Sequence, residues 1–188
     1  MAQDHPTLAC LAPQGRASRS ADVGFAHANG RFLAERHATL VGDGTQGEVA
    51  GAMVSGSFHA GTRFRVPVPV GAPQPSYPAP VDLVPLDEGM TAANWIGTQA
   101  DCIWALPPRI GDLERYFDTW VSAANKPVVC VAAADEFRLL RGIIDEVVRA
   151  GRPADAQRIL FAGSPAEGWD LLGGFLRAAA ARRATAGE

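Results

Sequence analysis

"IWALPPRIGDLERYFDTW", Ile103 to Trp120, passes from an apolar run through two prolines, an arginine and a glycine into a charged, amphipathic segment. An apolar run of strand length that stops at prolines and gives way to an amphipathic segment reads as a buried strand turning into a helix. The same unit recurs on both sides. Upstream, "TLACLA" (Thr7–Ala12) ends in "PQGRASRS", and Val23, Ala26, Gly30, Leu33 and Ala34 then recur at helical spacing behind Ser20, a residue suited to an N-cap. "ATLVG" is a second strand, running through the glycine-rich "DGTQGEVAGAMVSGSFHAG" into a helix of small residues. "RFRVPVPV" is a third, whose prolines point to a sheet edge or a bulge. Gly71 to Pro85 reads as a proline-rich loop, long enough to be functional or mobile.

"MTAANWIGTQA" is a helix leading into the strand of the opening stretch. Beyond that stretch come a strand "KPVVCVAA", a helix "EFRLLRGIIDEVVRAG" closed by Gly151, a strand "RILFAG", and a C-terminal helix whose residues 178–188 form a frayed basic tail. This alternation predicts one domain over residues 1–188. Its class is α/β, a Rossmann-like doubly wound parallel sheet with helices on both faces.

The bulk numbers narrow the partners. The 188 residues are 47% hydrophobic and 20% charged, with net charge -3. No basic stripe exists to neutralise the phosphates of a duplex, so no nucleic-acid partner is expected. Small phosphorylated ligands need only one local pocket and stay open. Cys10, Cys102 and Cys130 lie in apolar runs without zinc-type spacing, and read as buried reduced thiols. His27, His37 and His59 share no spacing, so no metal is expected. The start of the chain lacks a signal-peptide pattern and no run is apolar enough to span a bilayer, which predicts a soluble, cytoplasmic protein with no membrane partner.

In a doubly wound sheet the ligand sits beyond the carboxyl ends of the strands. Three turns compete there. The first offers Gly15, Arg16, Ser18 and Arg19; the second, "VGDGTQGE", offers Gly42, Gly44, Thr45 and Gly47; the third is "PPRIGDLE". Glycines let backbone N–H groups approach an anion, and a helix N-terminus adds partial positive charge. Tight-turn geometry explains such glycines equally well. "GDGTQG" is neither a dinucleotide fingerprint nor a P-loop, and Asp43 and Glu48 repel a phosphate if they point inward. A dinucleotide-dependent oxidoreductase is therefore disfavoured, and no cofactor is expected.

The order of these segments resembles the LONELY GUY family, often labelled lysine decarboxylase-like, from about Leu8 to Leu172. "CLAPQG" and "AHANGRFLAE" resemble its first strand, turn and helix; "LVGDG" with "TQGEVAGA" resembles its "LVYGGG…GLMGAVADAA"; "ADCIWALPPR" resembles "ADAFIALPGG"; "FDTW" and "NKPVV" resemble the segments that follow. The resemblance implies a homodimeric Rossmann-like enzyme that hydrolyses the N-glycosidic bond of nucleoside 5'-monophosphates, freeing base and ribose 5-phosphate. The partner it implies is thus a small phosphorylated ligand, nucleoside monophosphate-like.

The family's PGGxGTxxE signature is altered. It becomes Pro107-Pro108-Arg109-Ile110-Gly111-Asp112-Leu113-Glu114-Arg115. Proline has no N–H to offer a phosphate. The threonine is Asp112 and the final glutamate is Arg115, with Glu114 one residue earlier and about 100° away around a helix. The arginine of the family's MHxRK pattern has no counterpart in "EGMTAANW" (Glu88–Trp95). A carboxylate that stabilises the sugar cation and an arginine that positions the phosphate are what glycosidic cleavage uses.

Glu114 and Arg109 are the catalytic candidates. Gly15, Arg16, Ser18, Arg19, Gly42, Gly44, Thr45, Gly47, Pro108, Ile110, Gly111 and Asp112 are the phosphate or ligand candidates. Arg109 is either a guanidinium fork for phosphate or a turn residue paired with Asp112 or Glu114. Trp95 stacks on a base or sits in the core, Trp104 is structural, and Phe117 and Trp120 fit an apolar helix face or, by resemblance, a dimer interface. Two readings follow. In one, Arg109, Glu114 and the first loop converge on a single pocket that still cleaves a nucleotide. In the other, the same fold is catalytically inactive and holds a ligand or partner.

Overall fold

The computed structural model describes residues 6–17, 19–133 and 135–186. Its centre is β1 (Thr7–Leu11). From there the chain winds outward through β2 (Thr39–Gly42), β3 (Phe64–Val68) and β4 (Asp82–Pro85), then returns to lay β5 (Cys102–Ala105) on the other side of β1. It continues outward through β6 (Val128–Val131) and β7 (Ile159–Ala162). The sheet order is β4-β3-β2-β1-β5-β6-β7, all pairs parallel, with Leu8 opposite both Leu40 and Cys102. The order reverses between β1 and β5.

Both faces are covered, as parallel strands built from continuous apolar runs require. Alternation along each strand assigns the sides. Leu8, Cys10, Cys102, Trp104, Val129 and Val131 join residues of α1 (Ser20–Ala34), α2 (Glu48–His59) and α8 (Pro165–Ala186) in one core. Ala9, Leu11, Ile103, Ala105, Val128 and Cys130 join α3 (Ala92–Gln99), α4 (Leu113–Ser122) and α5 (Arg138–Ile143) in the other. The predicted doubly wound class is the observed one. Trp104 is wholly buried and structural, as read: its Nε1 donates to Asn29 Oδ1 at 3.0 Å, and Gly168 lets α8 lie directly on its ring.

Five expectations change. β3 is not an edge, because β4 pairs along it; its pairing with β2 ends at Arg65, so Pro67 deprives that ladder of no donor. β4 itself comes from the end of the proline-rich segment read as loop through Pro85. The rest of that segment is tied down: Tyr77 Oη donates to the Thr45 carbonyl at 2.9 Å, the Ser76 N–H to Gln46 Oε1 at 3.0 Å, and Pro78 packs on Gly51 of α2. Helix α1 already includes Ser20, so Arg19 holds the cap position. The helix read as continuous to Gly151 is α5, a π-turn at Ile144–Val148 and α6 (Arg149–Gly151), followed by α7 (Pro153–Gln157). Helix α8 runs to Ala186, through most of the stretch read as tail.

Candidate ligand site

The reversal between β1 and β5 opens a crevice where a doubly wound sheet binds its ligands. A cavity of about 480 Å³ lies there. Its walls are Pro13 after β1, Phe25 and Val49 from α1 and α2, and Leu106, Pro107 and Pro108 after β5. Arg19, Asp22, Arg109 and Glu136 supply its charge. Arg19 is half-exposed and its guanidinium pairs with Asp22 at 2.7 Å and with Glu136 from the loop after β6. Those two carboxylates hold its pKa above the ordinary arginine value, Glu136 contributing more.

The three turns that sequence reading offered as anion cradles are each already answered by a carboxylate of the chain. After β5, Asp112 sits in the one-turn 3-10 helix Ile110–Asp112 that precedes α4 and is 4% exposed. Its Oδ2 accepts the Arg109 N–H at 3.0 Å and its Oδ1 the Gln14 N–H at 3.1 Å. After β2, Asp43 accepts the Thr45 N–H at 3.0 Å. After β1, Glu48 accepts the Ala17 N–H at 2.7 Å. Helix N-termini and loop amides favour a negative charge, and here the protein supplies it.

Arg115 links two of these carboxylates. Its guanidinium pairs with Asp43, reaches Asp112 Oδ1 at 3.1 Å, and donates to the Ala12 carbonyl at 2.8 Å. The side chains of Asp43 and Asp112 are 7% and 5% exposed, that of Arg115 26%. Burial works against the guanidinium's charge, but Asp43, with smaller contributions including Asp112, outweighs it and holds the pKa above its ordinary value. The loops after β1, β2 and β5 are thus cross-linked by one ionic cluster.

Arg109 is a strut. Its guanidinium donates to the Gln14 carbonyl at 3.0 Å and to the Arg16 carbonyl, bracing the first loop against the third. It pairs with Asp112 through its backbone N–H, not its side chain. Gly15 and Gly47 form the other brace: Gly15 N–H donates to the Gln46 carbonyl at 3.2 Å, Glu48 N–H to the Gly15 carbonyl at 2.9 Å, and a Cβ on Gly47 falls 2.5 Å from that oxygen. No side chain fits there.

The structure therefore divides the candidates. Arg19, Arg109 and Pro108 line the large cavity. Glu114 does not: it is exposed at the start of α4 and, with Gln14, Asp43, Gly111, Arg115 and Asp118, borders a separate cleft of about 250 Å³. Asp112 is corrected from phosphate neighbour to the chain's own anion. Arg16 is exposed and lies 3.5 Å from Glu48, Ile110 points into solvent at 81% exposure, and Gly42 closes β2 beneath Phe64 and Val66. Gly44, at φ 85°, and Thr45 shape the second turn around Asp43. Ser18 lies outside the described residues.

Trp95 belongs to the core at 8% exposure, and Trp120 is 3% exposed within the single chain, so only Phe117 of that pair is left partly open. Sequence reading missed Arg115, Asp43 and Glu136 as site-building residues; their partners lie 72, 72 and 117 positions away. Among the described residues no group of three metal-ligating side chains converges, and no helix is long and apolar enough to cross a membrane.

The class defined by this topology is a Rossmann-like α/β protein. No family model matches the sequence, and no match appears among curated proteins. Solved structures are similar in fold. One is the molybdenum cofactor binding protein of the phototrophic bacterium Rippkaea orientalis, with a TM-score of 0.65 and 16% identity, over 93% of this chain and 99% of that one. Another is the molybdenum cofactor carrier protein of Chlamydomonas reinhardtii, with a TM-score of 0.67 and 16% identity, over 92% and 99%.

Proposed function

We propose that this chain is a LONELY GUY-like protein that holds a small phosphorylated ligand in the cavity between β1 and β5 and does not cleave it. The ligand class is a flat heterocycle bearing one phosphate, of nucleoside 5'-monophosphate size. The observation that carries this reading is the cavity itself. Its 480 Å³ lies within the range of small-molecule sites, and its apolar walls carry Arg19 and Arg109 beside the carboxylates of Asp22 and Glu136. The cofactor named for the two structural neighbours supports a holding role for the architecture.

Three features argue against hydrolysis. Asp112 fills the cradle after β5 with a carboxylate, Glu114 borders a different cleft, and no arginine stands in Glu88–Trp95. A nucleophilic water and a carboxylate need to flank the scissile bond together. The resemblance further implies that the chain acts as a homodimer.

The test is calorimetric titration of the protein with AMP, isoprenylated AMP and GMP, beside chromatographic assay of released base. The expected result is saturable binding, weakened at least about tenfold in Arg19→Ala, with no free base. Base release that disappears in Glu114→Ala restores the hydrolase. Absence of binding by every nucleotide removes the phosphorylated-ligand reading.

A further inference from the structure

His27 on α1 and His59, the last residue of α2, meet across the helix pair. Their Nε2 and Nδ1 atoms are 3.3 Å apart, with ring centroids at 5.5 Å. The helices beneath them are locked: a Cβ on Gly56 would run into the His27 carbonyl, and one on Gly30 into the Met53 carbonyl. Backbone thus rests on backbone, and the imidazoles are held by a crossing that leaves little room to slide. We propose that His27 and His59 form a two-histidine site for a divalent transition-metal ion of the zinc type, clasping α1 to α2.

The separation suits the ion. Two imidazole nitrogens bound to one zinc at 2.0–2.1 Å in tetrahedral geometry stand about 3.3–3.4 Å apart. Without metal, one facing nitrogen donates its proton to the other. Binding requires only that this ring carry its proton on its other nitrogen, so both facing nitrogens present lone pairs and no net proton leaves. His59 lies at the C-terminal, electronegative end of α2, which favours a cation. Arg31, one turn along α1 from His27, has its guanidinium tied to Glu35 at 2.7 Å. His59 is exposed and His27 half-buried, so solvent ions have access. No third ligand joins them among the described residues, so water completes the coordination and the site is open and exchangeable. Imidazole donors select zinc, copper and nickel over magnesium and calcium.

The experiment uses the untagged full-length chain, with zinc ion alone titrated by calorimetry and by thermal unfolding, and magnesium in parallel. The expected result is one zinc per chain and a Tm that climbs with zinc concentration, no effect of magnesium, and loss of both signals in His27→Ala and in His59→Ala. Circular dichroism checks that each variant is folded. If His27→Ala is not, the exposed His59→Ala decides alone. A wild-type Tm indifferent to zinc, or a zinc response retained in a folded single variant, overturns the proposal.

Discussion

Replacing Arg115 by Met removes the cation that two buried carboxylates share. Asp43 and Asp112 are 7% and 5% exposed, and the Ala12 carbonyl loses its donor as well. Removing one partner of a fully buried pair costs about 3–5 kcal/mol. Arg115 is a quarter exposed, which lets water reach the orphaned carboxylates, so the expected loss is lower, about 2–3 kcal/mol. In a chain of this length that lowers Tm by roughly 5–10 °C. Urea unfolding followed by circular dichroism measures it. The cycle with Asp43→Asn isolates the pair, and the double variant should be more stable than additivity predicts by about 1–2 kcal/mol. The exposed Arg63–Asp82 pair, 3.4 Å apart, is the control, and Arg63→Ala should move stability by no more than about 0.5 kcal/mol. An Arg115→Met loss below about 1 kcal/mol, or a strictly additive cycle, would show that the cluster does not tie the three loops together.

Three further outcomes follow from the same geometry. Burial pushes the thiols of Cys10, Cys102 and Cys130 far above their ordinary pKa. The unfolded chain therefore releases these protons first, and stability falls as pH rises above about 8.5, by about 2 kcal/mol per thiol at pH 10. Urea midpoints from pH 7.5 to 10 measure the slope, and a flat profile contradicts it. Gly47→Ala places a methyl 2.5 Å from the Gly15 carbonyl oxygen and should cost about 1–3 kcal/mol; a wild-type urea midpoint would mean the two turns part freely. Glu136→Gln leaves Arg19 with Asp22 alone, so a phosphate no longer competes with that carboxylate, and nucleotide affinity should rise about three- to tenfold by calorimetry. Unchanged affinity would place the phosphate away from Arg19.

The fold was legible because its strands are buried on both faces. "TLACL", "CIWA" and "VVCV" are continuous apolar runs, and burial of that kind leaves the same mark in any sequence that makes a parallel sheet. β4 was missed for a related reason: as a half-exposed outermost strand bordered by proline it has no need of an apolar run, so "DLVP" carries no signal of its own. The site was half legible. Gly15 and Gly47 were marked as ligand candidates because glycine lets backbone approach an anion; in the structure they let two turns brace each other. Asp43 was read as hostile to a phosphate if it pointed inward and Asp112 as a ligand candidate, but a charge says nothing about which amide it faces. Only the parallel register of β1, β2 and β5 brings Gln14, Asp43 and Arg115 within reach of one another.

That register also bears on what the altered signature means. Pro108 deletes an N–H from the cradle after β5, and Asp112 accepts the N–H groups of Gln14 and Arg109 there, so the loss of a donor and the arrival of an acceptor act at the same spot. Arg115 stands where the resemblance puts a glutamate, and it neutralises Asp112 and Asp43 instead of leaving them repelling each other in a half-closed space. Each substitution taken singly is destabilising: a buried aspartate without its arginine, or an arginine without its aspartates, is an uncompensated charge. Together they are mutually satisfied. The turn after β5 is thus a brace that ties the loops after β1, β2 and β5 together.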